Sequence, residues 1–253
     1  MKKIALVTGA TSGIGKATAI ALADCGYNLI ITGRRKEQLN ELKSDLEIKY
    51  KTESFVLCFD VRNKNEVCVA IESMPEQWKN IDLLINNAGL AVNLNHIQDG
   101  ILEDWDRMID TNVKGLLYVT RYIAPLMIAA NKGHIINIGS VAGKDVYENG
   151  NVYCATKHAV DALSKAMRID MLKNNIKVTN LCPGLVETEF SIVRFKNDIK
   201  RAKAVYAGMT PLTGEDIASI IKFIVNLPPH VCINDIVVAP TAQANAMLVN
   251  REI

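Results

Sequence analysis

Tyr153 and Lys157 put a phenol and an ammonium four residues apart in a chain of 253 residues. On a helix, side chains at that spacing share a face, one turn apart. A cation beside a phenol favours phenolate and lowers the phenol's pKa. A tyrosine tuned this way can exchange a proton with a reacting hydroxyl or carbonyl oxygen. Tyr and Lys also meet at this spacing on ordinary helices, so the pair carries weight only if the rest of the chain builds a site around it.

The elements that must position the pair alternate in type. Short apolar runs fall at Ile4–Val7, Leu29–Ile31, Phe55–Phe59, Leu83–Ile85, Ile135–Ile138, Val178–Leu181 and Ile236–Val238. Most are continuous, which suits strands buried on both faces. Helical patterns lie between them, near 13–25, 35–48, 63–73, 103–130, 151–173 and 214–226. This alternation predicts an α/β fold: one domain with a doubly wound, mostly parallel sheet of seven strands. No repeat, low-complexity tract or linker interrupts it.

Several stretches fall where such a sheet binds ligands, at the carboxyl ends of its strands. Thr8-Gly9-Ala10-Thr11-Ser12-Gly13-Ile14-Gly15 joins the first strand to the first helix. Its glycines allow a tight turn and let a phosphate approach the helix N-terminus. Gly9, Thr11, Ser12, Gly13, Ile14 and Gly15 therefore read as a dinucleotide loop, although the spacing is G-x-x-x-G-x-G rather than G-x-G-x-x-G. The second strand ends in Arg34 and Arg35, where a free ribose 2′-hydroxyl would want a carboxylate. Arginines suit a 2′-phosphate, which predicts NADP(H) over NAD(H).

Asp60 can accept from an adenine amino group while the Val61 amide holds the ring edge; Asp60 could also cap the following helix. Asn87, Ala88 and Gly89 leave room for a flat ligand beyond the fourth strand. Asn side chains can instead tie such a turn to nearby backbone, the preferred reading for Asn86. Asn112 interrupts a helical pattern, where its side chain competes for backbone hydrogen bonds; a kink or a bound water would use it. Ser140 ends the fifth strand and faces the same crevice. No Ser-His-Asp arrangement surrounds it.

Composition narrows the partners. With 22% charged and 49% apolar residues and a net charge of +2, nothing points to nucleic acid or a membrane surface. The six cysteines form no C-x-x-C pair and the four histidines lack metal-ligand spacing, so neither a bound metal nor a disulfide framework is expected. Reduced thiols fit a cytoplasmic protein. Met1-Lys2-Lys3 precedes an apolar run too short for a signal peptide, and no apolar stretch is long enough to span a membrane.

Taken together, these residues resemble the short-chain dehydrogenase/reductase family. The carriers are Thr8-Gly9-x-x-x-Gly13-x-Gly15, Asp60-Val61, Asn86-Asn87-Ala88-Gly89, Asn112, Ser140, Tyr153-x-x-x-Lys157 and Pro183-Gly184-Leu185-Val186-x-Thr188. They span nearly the whole chain. The resemblance implies a Rossmann-type sheet whose first 90 residues mainly bind the dinucleotide. It implies Tyr153 as acid/base, and Lys157 lowering the Tyr153 pKa and holding the nicotinamide ribose. Ser140 would bind the reacting oxygen, and Asn112 would anchor a proton-relay water. Pro183, Gly184, Val186 and Thr188 would lie beside the cofactor, under a mobile lid at 187–212. A homotetramer is also implied.

Three further runs look like the NADP-dependent 3-hydroxy acid dehydrogenases of this family: Trp105-Asp106-x-Met108-Ile109-Asp110-Thr111-Asn112, Gly133–Ser140, and Glu189-Phe190-Ser191-x-Val193-Arg194-Phe195. That likeness implies oxidation of a small 3-hydroxy acid of the serine, allo-threonine or 3-hydroxypropionate type, or reduction of the 3-oxo acid. Ser140, Tyr153 and Arg194 would contact the substrate. A buried carboxylate needs a partner, and Arg194 offers a bidentate fork; its alternative is surface pairing with Glu187 or Glu189. The charged loop Lys144–Glu148 departs from the subgroup and bears on which substrate fits. Two other readings stand beside this one. One is another NADPH-dependent ketone or 3-oxoacyl reductase. The other is a non-catalytic cofactor sensor, which would be expected to lose Tyr153, Lys157 or Ser140. The tail Ala242–Ile253 shows no strong pattern and is expected to complete a neighbour's pocket or to fray.

Overall fold

Strands that are apolar at every position need cover on both faces, and the computed structural model, which describes residues 2–252, provides it. In chain order the elements are β1 (Ile4–Val7), α1 (Gly13–Asp24), β2 (Asn28–Gly33), α2 (Lys36–Tyr50), β3 (Ser54–Cys58), α3 (Lys64–Glu72), β4 (Ile81–Asn86), α4 (Leu102–Ile109) and α5 (Leu116–Ala129). Then come β5 (Gly133–Ile138), α6 (Asn151–Asp170), β6 (Ile176–Pro183), α7 (Glu189–Arg194), α8 (Ile199–Ala204), α9 (Gly214–Val225) and β7 (Asp235–Val238). The seven-stranded sheet runs β3-β2-β1-β4-β5-β6-β7, and every strand pairing in it is parallel.

Alternate strand residues feed opposite layers. Ile4 and Leu6 of β1 join a core with Val67 of α3, Ile123 of α5 and Val160 of α6. Ala5 and Val7 join the other core, with Leu22 of α1, Leu42 of α2 and Ile221 of α9. Each fully buried Leu or Ile contributes about 1.5–3 kcal/mol over an exposed one. A helix cap contributes about 1 kcal/mol. Packing therefore decides where the helices lie, and caps such as the Thr213–Asp216 box on α9 fix where they begin.

The expected helix over 103–130 is broken in a specific way. A π turn, Asp110–Gly115, joins α4 to α5. Asn112 sits within it with its amide locked: Oδ1 accepts from the Leu90 N–H at 2.8 Å, and Nδ2 donates to Leu90 O at 2.8 Å and to Thr156 Oγ1 at 3.0 Å. The 187–212 stretch holds two short helices, α7 and α8, and its ends meet where Val186 pairs with Leu212. Among the described residues no helix is long and apolar enough to cross a membrane, and no cluster of three or more His, Cys, Asp and Glu could hold a metal ion.

One ionic cluster ties α6 to the segment after β5. Lys144 Nζ reaches Asp161 Oδ1 at 2.6 Å and also contacts Asp235 on β7. Asp161 accepts as well from Lys165 at 2.6 Å and from Asn180 Nδ2 at 3.0 Å. Burial pushes the Asp161 carboxyl up, but the hydrogen bonds from Lys144 and Lys165 outweigh it and hold its pKa below the ordinary value. A carboxylate with a depressed folded pKa stabilises fully above its unfolded value, about 4; that stability is lost as pH falls through the folded value. We therefore expect Asp161→Asn to cost about 1.5–3 kcal/mol at pH 7. Urea unfolding at pH 7 and at progressively lower pH should show the difference from wild type shrinking below about pH 4.

Candidate active site

The strand order reverses at β1, which lies between β2 and β4. Chain connections depart there in opposite directions and leave a crevice at the carboxyl ends of the strands. A cavity of ≈ 450 Å³ opens in it. It extends from Gly9, Thr11, Ser12, Gly13 and Ile14, past Arg34, Arg35, Asp60 and Val61, to Ser140, Tyr153, Lys157 and Arg194. Asn87, Ala88, Gly89, Pro183, Gly184, Val186 and Thr188 also line it. Of the site residues expected from sequence, Gly15 and Asn112 do not. A Cβ on Gly15 would lie 2.2 Å from Gly9 O and 2.4 Å from Asn87 Nδ2, so this glycine serves loop packing. Asn112 lies behind Leu90, its amide N–H groups both spent. Its side chain therefore does not offer a donor to a relay water.

The dinucleotide end fits a phosphate-bearing cofactor. Ser12 caps α1 without using its side chain, and no acid occupies the helix's first turn. The positive end of α1 is left free for an anion. Thr8, given no role of its own from sequence, braces the loop. Its Oγ1 donates to Ile85 O at 3.2 Å and accepts from Asn87 N and Ala88 N, both at 3.0 Å. Asn87 Nδ2 donates to Thr8 O at 2.8 Å. Asn86 plays a structural part, but by donating to the side chains of Thr120 and Asn137 rather than to the backbone expected; Asn87 makes the backbone tie.

Arg35 crosses the cavity wall. Its Nε and one terminal nitrogen donate to Thr11 Oγ1 at 3.1 and 2.8 Å, and the other terminal nitrogen pairs with Glu189 at 2.9 Å. Arg34 is 56% exposed and lies 3.8 Å from Asp60, leaving most of its fork free. Asp60 does not cap α3; Asn63 does, accepting from the Asn65 and Glu66 N–H groups. The Asp60 carboxylate instead takes Arg62 Nη2 at 2.6 Å. Burial alone would raise its pKa, but the Arg62 hydrogen bonds lower it on balance.

At the other end, α6 buries Tyr153 and Lys157 side by side. Lys157 Nζ donates to Ile138 O at 2.8 Å and lies 6.0 Å from the centre of the Tyr153 ring. Ser140 Oγ accepts from the Ala142 N–H at 3.1 Å. The expected lowering of the Tyr153 pKa by Lys157 does not hold in the free protein. Burial raises it well above the ordinary phenol value, Tyr147 raises it further, and Arg194 and a hydrogen bond with Ser140 only partly offset this. The reason is desolvation: a buried phenolate has lost its water. Burial also lowers Lys157 to about 8.

Arg194 forms the wall opposite. Its guanidinium lies 5.1 Å from the Tyr153 ring centre, 5.6 Å from that of Tyr147 and 5.7 Å from that of Phe190. It hydrogen-bonds the Tyr147 hydroxyl. Neither Glu187 nor Glu189 pairs with it, and among the described residues no carboxylate does. Tyr147, Phe190, Gln243 and Ala246 also line the cavity without having been named as site residues. All four fall within stretches already set apart: Tyr147 in the charged loop, Phe190 in the run before Arg194, and Gln243 and Ala246 in the tail. In the tail, Gln243 is buried and lines this chain's own pocket.

Residues 3–198 match the short chain dehydrogenase family. The chain belongs to that family. The NADP-dependent 3-hydroxy acid dehydrogenase YdfG of Salmonella typhi is 46% identical over 246 residues, covering 97% of this chain and 98% of that protein. Sulfoacetaldehyde reductase 2 of Chromohalobacter salexigens is 42% identical over 254 residues, covering 100% of both. The closed form of a serine dehydrogenase complexed with NADP+ superposes with a TM-score of 0.92 at 44% identity, covering 98% of this chain and 100% of that one. The protein is thus an NADP-dependent short-chain oxidoreductase acting on a hydroxyl group.

If Arg34 and Arg35 bind the 2′-phosphate, replacing both with Ala removes charge-assisted contacts worth about 1.5–3 kcal/mol each. The KM for NADP+ should rise at least tenfold while the KM for NAD+ changes little. Initial rates with each cofactor at saturating co-substrate check this.

Proposed function

We propose that the protein oxidises the β-hydroxyl of small 3-hydroxy acids with NADP+, and reduces the matching 3-oxo acids with NADPH. One observation carries the acid specificity. Arg194 is a guanidinium without a carboxylate partner among the described residues, stacked over the Tyr153 ring in the same cavity. A cation held beside the acid/base with no counter-ion suits an anionic substrate, and its fork matches a carboxylate. The names of the relatives support this, since 3-hydroxy acids and serine are both β-hydroxy acids. Sulfoacetaldehyde is likewise a short aldehyde bearing an anion.

The cofactor supplies hydride exchange at the nicotinamide. The chain's residues do the rest. Tyr153 exchanges the proton with the substrate oxygen, and its raised pKa leaves it a neutral acid ready for the reductive direction. Ser140 hydrogen-bonds the reacting oxygen. Lys157, at about 8, trades protons near neutrality beside the ribose site. Asn112 holds Leu90 and Thr156, and through Thr156 the turn of α6 between Tyr153 and Lys157.

Leu102, Ile109, Leu117 and Ile128 leave an exposed apolar strip along α4 and α5. Strips of this kind mark association surfaces, which supports a homotetramer; light scattering on the purified protein would read a monomer if this is wrong. The free cysteines suit the reducing cytoplasm.

The deciding measurement is a panel of initial rates. NADP+ would be tested with L-serine, D-serine, L-allo-threonine and 3-hydroxypropionate; NADPH would be tested with sulfoacetaldehyde and a 3-oxoacyl thioester. Turnover confined to the thioester would replace this reading with that of a 3-oxoacyl reductase. Within the panel, Arg194→Ala should lower kcat/KM for the acids about 10–100-fold, the loss of a charged hydrogen bond of about 1.5–3 kcal/mol. NADP(H) affinity should stay unchanged; unaltered kinetics on the acids would remove Arg194 from substrate binding.

A further inference from the structure

Asp104 is a buried carboxylate with no part in the chemistry above. It lies in the first turn of α4 and is 8% exposed. An acid there suits the helix dipole, but the exposed Glu103 beside it already meets that preference. A carboxylate taken out of water needs partners, and Asp104 finds two in segments that flank the cavity. Its Oδ2 accepts from Lys196 Nζ at 2.9 Å and from Asn93 Nδ2 at 3.2 Å.

Both partners lead to Arg194. Asn93, in the segment after β4, donates its N–H to Arg194 O at 2.8 Å. Lys196 follows Arg194 by two residues, in the turn that closes α7. There the Lys196 N–H donates to Val193 O at 3.2 Å and the Asn197 N–H to Ile192 O at 2.9 Å. This double closure puts Lys196 where helices usually place glycine, and its φ is 51°. Lysine is disfavoured in that region unless the surroundings hold it, and here the Asp104 carboxylate holds its side chain. Arg194 is thus gripped at its own carbonyl and just beyond its helix, and both grips close on one oxygen. Its Nε is enclosed and has no hydrogen-bond partner among the described residues, so the backbone does much to set where the fork points.

We propose that Asp104 is a positioning residue for Arg194, fixing the backbone that aims the guanidinium at the substrate carboxylate. Arg194 lines the cavity, whereas Asp104, Asn93 and Lys196 lie outside it. The kinetic consequence rests on the reading that Arg194 binds the acid; the placement of Arg194 does not.

The full-length protein tests both parts. Asp104→Ala should raise KM for the hydroxy acid about 3–10-fold with kcat and KM for NADP+ held, since the aim of a binding group is lost and not the chemistry. Lys196→Ala should do the same from a half-exposed side chain, without emptying a buried position. Lys196→Arg, which keeps a cation, should restore wild-type values. In an Arg194→Ala background Asp104→Ala should change nothing further, because a residue that acts through Arg194 has nothing left to aim. Amide hydrogen exchange gives a readout that needs no substrate. The Asn93 N–H should exchange about tenfold faster in Asp104→Ala, while the amides of β4 keep their protection. Equal exchange at Asn93 in variant and wild type, or a further rise in KM in the Arg194→Ala background, overturns the proposal. Faster exchange in a protein whose kinetics on acids ignore Arg194→Ala keeps the positioning and overturns the substrate reading instead.

Discussion

The carbonyl of Ile138, the last residue of β5, accepts a hydrogen bond from the Lys157 ammonium. Nearby, Gly143 leaves no room for a side chain, since a Cβ there would come 2.6 Å from the Lys157 carbonyl. These two contacts press α6 against the end of β5 and the turn after it. Ser140, Tyr153 and Lys157 thereby share one wall although they come from two elements. Lys144 and Asp161 brace the same junction from behind. A core held at packed density permits little drift in such a junction.

Close packing at that junction also governs its electrostatics. Water is excluded from both members of the Tyr153–Lys157 pair, and each is driven toward its neutral form: the phenol upward, the amine down to about 8. A fixed cation, Arg194, lies over the phenol ring and offsets part of this. The spacing Tyr-x-x-x-Lys suggests that the lysine tunes the tyrosine. In the free protein it is the guanidinium across the cavity and the Ser140 hydroxyl that pull the phenol down, and they do not outweigh burial.

Much of this was legible in the chain because the relevant residues sit at strand ends, where sequence position and spatial position coincide. Once the runs Ile4–Val7, Leu83–Ile85 and Ile135–Ile138 are read as parallel strands, Gly9, Asn87 and Ser140 must share a rim. The roles that escaped notice depend on long-range folding. Thr8 braces Asn87 across 79 residues of chain. Gln243 reaches Leu185 across 58 residues from a segment with no periodicity. Asn112 was visible as a misfit in a helix, and a kink or a bound water was expected of it; the π turn supplies the kink, while its partner Leu90 could not be seen in the chain. Asp60 looked able to cap α3, but the local turn geometry gives the cap to Asn63.

The π turn at Asp110–Gly115 makes the chain length there a fixed quantity. A π turn carries one residue more than the α-helix it interrupts, and each residue of an α-helix advances the face by about 100°. Deleting one residue between Asp110 and Gly115 would restore a regular helix and rotate everything beyond it by that amount. Either Leu116, Val119 and Ile123 would turn off the sheet, or Asn112 would lose Leu90. The insertion lets one rod serve two partners whose faces do not line up: the sheet beneath α5 and the strand-end loop at Leu90. Substitutions along this rod can be absorbed locally, whereas a change in its length propagates to the core and the site together.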